Sequence, residues 1–205
     1  MPLSRRRALA LLAGAAVLPA LPAQARTIPV AEISRYLNSF RTARAAFTQI
    51  NADGTLSTGD LRLRRPGRAR FDYDPPNRGL VIAGGGQVAV FDPVSNTPPE
   101  QYPLSQTPLN LILAERVDLG RSGMVVAHGA EGASTTITLQ DPQNPQYGNI
   151  RLVLTDGPVT LRQWVITDDT GAQTTVILGD MATDVGLASG LFSIPQEMRQ
   201  RGLTE

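Results

Sequence analysis

Apolar residues recur along this chain with two periods. Between Ile28 and Arg41, the residues Ile33, Tyr36, Leu37 and Phe40 follow the i, i+3, i+4, i+7 pattern, with Glu32 and Arg35 outside the stripe. This predicts an amphipathic helix over residues 28–41, with Pro29 in its first turn, that plugs or covers a sheet. From Arg44 onward the period drops to two. Ala45, Phe47 and Gln49 share one face of a strand from Arg44 to Ile50, and Asn51-Ala52-Asp53-Gly54 turns the chain. Further strands are predicted over Thr55 to Arg65, Arg68 to Tyr73, Gly79 to Ala83 and Gln87 to Phe91. The second half predicts strands over Met124 to Ala127, Thr135 to Gln140, Asn149 to Thr155, Thr160 to Asp168 and Gln173 to Leu178. Asp141-Pro142, Asp156-Gly157-Pro158 and Asp169-Thr170-Gly171 supply turn signals between them. This is the spacing of a meander and implies one continuous antiparallel sheet, so the chain is mainly β.

One hairpin carries more information than its neighbours. Leu61 and Leu63 share a face, with Asp60, Arg62 and Arg64 opposite, and beyond the turn Ala69, Phe71 and Tyr73 alternate with Arg68, Arg70 and Asp72. A two-residue loop at Pro66-Gly67 would set Leu63 against Arg70, the wrong parity. An odd loop or a bulge restores it, and Gly67 suits a left-handed bulge position. The same alternation puts Arg65 on the apolar face with Leu61 and Leu63. Either its guanidinium finds polar partners there, because an unpaired buried charge is costly, or the side chain turns out to solvent at the hairpin end.

A second apolar segment interrupts the strands. Thr107 to Arg116 reads as a short helix, with Thr107 as N-cap and Pro108 at the first helical position. Leu109, Leu111, Ile112 and Leu113 cover more than one of its faces. Such a helix is either a lid over an apolar cavity or an ordinary core helix.

The first 25 residues carry Arg5-Arg6-Arg7, an apolar run from Ala8 to Leu18 and a small-x-small site at Ala23-Gln24-Ala25. They read as a signal peptide of the secretory or twin-arginine type, which sets the mature start at Arg26 and the localisation in the periplasm. The remaining residues, 26–205, suit one domain with a sizeable core. Removing the three arginines of residues 1–25 leaves 16 basic against 18 acidic residues. That balance argues against a nucleic-acid partner. The chain has no cysteine, which excludes disulfides, thiolate chemistry and a lipid anchor of its own.

Catalytic patterns are sparse. His128 is the only histidine and reads as a surface or turn residue at a strand end. No Gly-x-Ser-x-Gly elbow is present, and Gly84-Gly85-Gly86 lies between two strands, as a hairpin turn does. Asp72 and Asp74 read as partners for Arg62, Arg68 and Arg70 across strands. Trp164 alternates with Arg162 and Ile166, and alternation alone does not decide whether it faces the core. No cofactor or metal site is expected, and no enzyme.

The stretch from Gly59 to Pro76 around Arg65-Pro66-Gly67, the hairpin from Leu80 to Asp92-Pro93, and Thr107-Pro108-Leu109-Asn110-Leu111-Ile112-Leu113 together resemble the LolA family of periplasmic lipoprotein carriers. The resemblance runs from Ala45 to Pro195; Ala69 stands where the family usually has an aromatic residue. It implies an antiparallel sheet curled into an incomplete, unclosed barrel, with an N-terminal helix and a short helical lid over an apolar cavity. It implies that Arg65 points into that cavity and latches the lid. It also implies an acyl cavity lined by Phe47, Leu61, Leu63, Phe71, Tyr73, Leu109, Leu111 and Ile112. The implied partners are acylated lipoproteins, an inner-membrane LolCDE-type ABC transporter and an outer-membrane acceptor, LolB-like or of another kind, served by a soluble monomer. The alternative is a periplasmic sensor or chaperone module that binds mislocalised lipoproteins or other lipids in the same half-barrel. An enzyme acting on lipids would need a nucleophile–base set that the sequence does not offer.

Overall fold

The computed structural model describes residues 26–121 and 123–203; the expected signal peptide lies outside them. Helix α1 (Val30–Asn38) precedes the strands β1 (Thr42–Ile50), β2 (Leu56–Arg64), β3 (Arg68–Tyr73), β4 (Leu80–Gly84), β5 (Gln87–Phe91) and β6 (Glu100–Pro103). A five-residue helix, α2 (Leu109–Leu113), leads to β7 (Val125–Glu131), β8 (Ser134–Gln140), β9 (Asn149–Thr155), β10 (Thr160–Thr167) and β11 (Gln173–Leu178). The short β12 (Ala182–Thr183) and α3 (Ile194–Gln200) complete the chain.

The strands form one antiparallel sheet in the order β6-β5-β4-β3-β2-β1-β11-β10-β9-β8-β7, with β12 beside the start of β1. Two meanders are thus joined along β1 and β11, where Phe47 stands opposite Leu178. β6 and β7 do not pair, so the sheet curls without closing. The alternation builds the interior. Ala43, Ala45 and Phe47 of β1, Leu61 and Leu63 of β2, and Ile150, Leu152 and Leu154 of β9 are all buried on the concave side. Phe47 pairs with Gly59. A Cβ on Gly59 would come within 2.9 Å of the Phe47 ring and 2.1 Å of the Asp72 carbonyl oxygen, so only glycine leaves the ring its place.

The convex side has a core of its own. Leu80, Ile82, Ala89 and Phe91 pack there against Ile194, with Met198 and Leu203 alongside. A run of alternating charges crosses the same side. Arg62 pairs with Asp60 and Asp72, Arg70 with Asp72 and Glu197, and Glu197 with Arg201. The expected offsetting of Asp72 by arginines is therefore present, whereas Asp74 accepts the Thr58 hydroxyl.

Several elements differ from the sequence reading. α1 is shorter than residues 28–41 because Pro29 is its extended N-cap, and Ile28 stays outside the helix, donating its N–H to Thr135 Oγ1 at 2.9 Å. α2 spans five residues because the Thr107 hydroxyl turns back to the Leu104 carbonyl and Ala114 leaves the helical region with ψ of 153°. β6, β12 and α3 carry too few apolar alternations to be read. β7 continues through His128 to Glu131, since an exposed edge strand needs no apolar period.

Candidate functional site

The hairpin between β2 and β3 turns through a three-residue loop, Arg65-Pro66-Gly67, which sets Leu63 opposite Ala69 and Leu61 opposite Phe71. Of the two solutions that parity allows, an odd loop or a bulge, the chain takes the odd loop, and Gly67 has φ of +66°. The loop holds α1 and α2. Gly67 donates its backbone N–H to the Leu113 carbonyl at the end of α2, at 2.8 Å. Arg65 runs inward with only 6% of its surface exposed. Its Nη2 donates to the carbonyls of Leu37, in the last turn of α1, and of Phe40, two residues past its end. Helix-end carbonyls lack intrahelical donors and carry the negative end of the helix dipole, so they suit a cation that has no carboxylate partner. The Arg65 guanidinium also lies 5.0 Å from the centre of the Phe40 ring. Burial, and then the charge of Arg41, push the Arg65 guanidinium below its ordinary value. The side-chain partner of Arg65 is thus α1, and α2 is bound to the same loop through the backbone alone.

α1 has further ties. Ser34 Oγ and Asn38 Nδ2 donate to the Val117 carbonyl at 2.8 Å each, and Val117 N donates to Asn38 Oδ1 at 2.9 Å. Leu161 N donates to the Tyr36 hydroxyl at 3.0 Å. The helix lies across one end of the curled sheet, fastened to β10, to the segment at Val117 and to Arg65.

The concave side encloses two chambers. The larger, about 540 Å³, has an apolar wall of Phe71, Val81, Val88, Leu109, Trp164 and Val176. Its rim is polar, with Gln106, Tyr147 and the exposed Asp168 and Asp169. Tyr73 and Gln49 stand on the same lining, and the Tyr73 hydroxyl donates to Gln49 Oε1 at 2.8 Å. Burial pushes the Tyr73 phenol up to about 12. The smaller chamber, about 20 Å³, lies beneath α1 and α2 and is bounded by Leu37, Leu61, Leu63, Arg65, Ile112 and Trp164 among others.

The residues that the family resemblance singles out are therefore distributed. Phe71, Tyr73 and Leu109 line the large chamber; Arg65, Leu61, Leu63 and Ile112 line the small one. Phe47 is buried behind the wall, its ring set edge-on to Phe71 at 5.5 Å and to Tyr73 at 5.2 Å. Leu111 lines neither chamber. It sits in a shallow crevice with Asn110, Asp141 and Tyr147. Trp164, whose facing the sequence left open, is 2% exposed and belongs to both chambers. A register shift between Leu161 and Gln163 breaks the alternation, so Leu161 and Trp164 both turn inward while Arg162 stays exposed. The resemblance did not single out Trp164, and no sequence signal marks that bulge.

His128 is exposed on β7, its Nε2 2.9 Å from the Ile28 carbonyl oxygen. Among the described residues no group of three or more His, Cys, Asp or Glu side chains is arranged to hold a metal ion, and no helix is long and apolar enough to cross a membrane.

The chain is 26% identical to the outer-membrane lipoprotein carrier protein of Pseudomonas syringae pv. tomato, over 89% of this chain and 91% of the relative. The carrier protein of Azotobacter vinelandii gives the same identity and coverage. A solved LolA superfamily protein from Nitrosomonas europaea shares 13% identity with a TM-score of 0.42, covering 81% of this chain and 98% of that one. The family model of the outer membrane lipoprotein carrier protein LolA matches residues 38–195, and the chain belongs to that family.

Proposed function

We propose that this protein is a soluble periplasmic carrier. It takes acylated lipoproteins released from the inner membrane by a LolCDE-type ABC transporter, shields their acyl chains inside the unclosed barrel and delivers them, as a monomer, to an outer-membrane acceptor. The observation that carries this reading is the apolar chamber of about 540 Å³ inside the curled sheet, a volume in the range of small-molecule sites. Each buried methylene is worth about 0.8 kcal/mol, so hiding ten stabilises the bound state by about 8 kcal/mol. In this reading Phe71, Tyr73 and Leu109, with Leu61, Leu63 and Ile112 beyond them, receive the acyl chains, and Phe47 supports the wall. Arg65 is the latch that holds α1 over the empty barrel. Cargo trades those latch bonds for acyl burial, which keeps net affinity moderate and release feasible. The task needs no catalysis.

Mass spectrometry of protein isolated from periplasm tests the proposal. The expected result is a bound triacylated peptide. A free polar metabolite in its place, or hydrolysis of an added lipopeptide, overturns it.

A further inference from the structure

Two buried side-chain atoms lack any hydrogen-bond partner among the described residues, Arg65 Nη1 and Trp164 Nε1. Both residues line the same small chamber beneath α1. Both atoms are donors and neither can accept. The remaining side chains there are hydrocarbon, the Met181 thioether and the Arg44 cation, none of which offers an oxygen acceptor. The nearby Leu37 and Phe40 carbonyls are taken by Arg65 Nη2. Leaving two donors unsatisfied in an apolar chamber is costly, and an acceptor that brings no donor of its own removes that cost without adding another.

We propose that Trp164 and Arg65 form a recognition site for the ester and amide carbonyl oxygens at the head of long acyl chains. The proposal rests on the carrier reading. Trp164 is the wall common to both chambers, so a carbonyl held beneath α1 leaves its hydrocarbon tail free to run past the indole into the chamber of about 540 Å³. When α1 lifts, Arg65 exchanges the Leu37 and Phe40 carbonyls for those of the cargo, and the Trp164 N–H gains its first acceptor. Trp164 then distinguishes acyl chains from plain alkyl chains of the same length.

The test compares two synthetic lipopeptides with identical peptides and chain lengths. One carries an ester-linked diacylglyceryl cysteine and the other its dialkyl ether analogue. The protein should bind the ester form about tenfold more tightly, the worth of one neutral hydrogen bond at the upper end of its range. Trp164→Phe keeps an aromatic ring and removes the N–H; it should lose most of the preference for the ester, the remainder being the share of Arg65. Trp164 is the only tryptophan of the chain, so the wild-type protein gives one indole N–H resonance, which should move downfield with the ester and not with the ether. This second measurement stands whether or not the variant folds. Equal affinity for the two forms in the wild-type protein, an indole resonance that ignores the ester, or a preference undiminished in Trp164→Phe overturns the proposal and leaves the carrier reading intact. Failure to bind either form overturns both.

Discussion

Arg65→Leu separates a latch from a mere structural arginine. The substitution removes the two hydrogen bonds from Nη2 to the Leu37 and Phe40 carbonyls and the contact with the Phe40 ring. Hydrogen bonds from a charged donor contribute about 1.5–3 kcal/mol each, while removing a buried, partly unpaired cation returns a share of that. The bonds left on α1, through Ser34, Tyr36 and Asn38, are neutral. The free energy for lifting α1 should therefore fall by about 3 kcal/mol, roughly a hundredfold in its opening equilibrium. Leucine suits a wall made by Leu61 and Leu63, so the sheet should not suffer. Hydrogen exchange reads both parts at once. Peptides covering α1 should exchange about a hundred times faster, while those covering β9, where Ile150, Leu152 and Leu154 have no exposed surface, keep their protection. In a two-step assay with inner-membrane vesicles and an acceptor, loading should be normal and delivery slow. Unchanged exchange in α1, or exchange rising equally in α1 and β9, would refute the latch.

Three further outcomes are expected. Val81→Trp places bulk in the large chamber from a half-buried position; lipopeptide affinity measured by calorimetry should fall more than about tenfold with the melting temperature shifted by only a few degrees. The Tyr73 phenol is held neutral up to about 12, against 10.0 for an ordinary tyrosine, because it is buried. Its contribution is complete below pH 10.0 and is lost as pH rises toward about 12; denaturant titrations across that window should show a steeper loss in the wild-type protein than in Tyr73→Phe. Burial raises the Glu197 carboxyl, but hydrogen bonds from Arg201 and Arg70 outweigh it and leave the group below its ordinary 4.5. Its contribution is present above 4.5 and disappears as pH falls through the folded value, so acid titration of Glu197→Gln should give a flatter stability curve than the wild-type protein.

Much of the sheet was legible because one face is buried. A strand such as Asn149–Thr155, with Ile150, Leu152 and Leu154 inward, has only one register that keeps its leucines dry. The same reasoning required an odd loop or a bulge at Pro66-Gly67. It failed where the chain answers to something other than burial. β6 lies at the sheet's edge and carries Glu100, Gln101 and Tyr102, all exposed, so no alternation marks it. α3 draws its stability from the second core under Phe91 and from the Arg70–Glu197 pair, partners separated from it by about a hundred residues in the sequence, too far for local pattern to reveal. Trp164 was ambiguous because the bulge at Arg162 shifts its parity.

Arg65 is the position at which local pattern and chemistry conflict, and that conflict is readable in the sequence alone. Alternation put a cation on an apolar face; either it escaped or it found acceptors. The partner was not readable, because the acceptors are the backbone carbonyls of Leu37 in α1 and of Phe40 just past it, and carbonyls have no sequence signature. Natural chains tolerate such conflicts at functional sites. A guanidinium held by the Leu37 and Phe40 carbonyls, with one nitrogen unsatisfied, leaves the covered state only modestly favoured. In the proposed cycle that margin is what matters. An apolar interior that closed too firmly could not be loaded, and one that stayed open would collapse on other apolar surfaces. The polar atoms at the neck set the balance, and the hydrocarbon wall beyond them supplies the capacity.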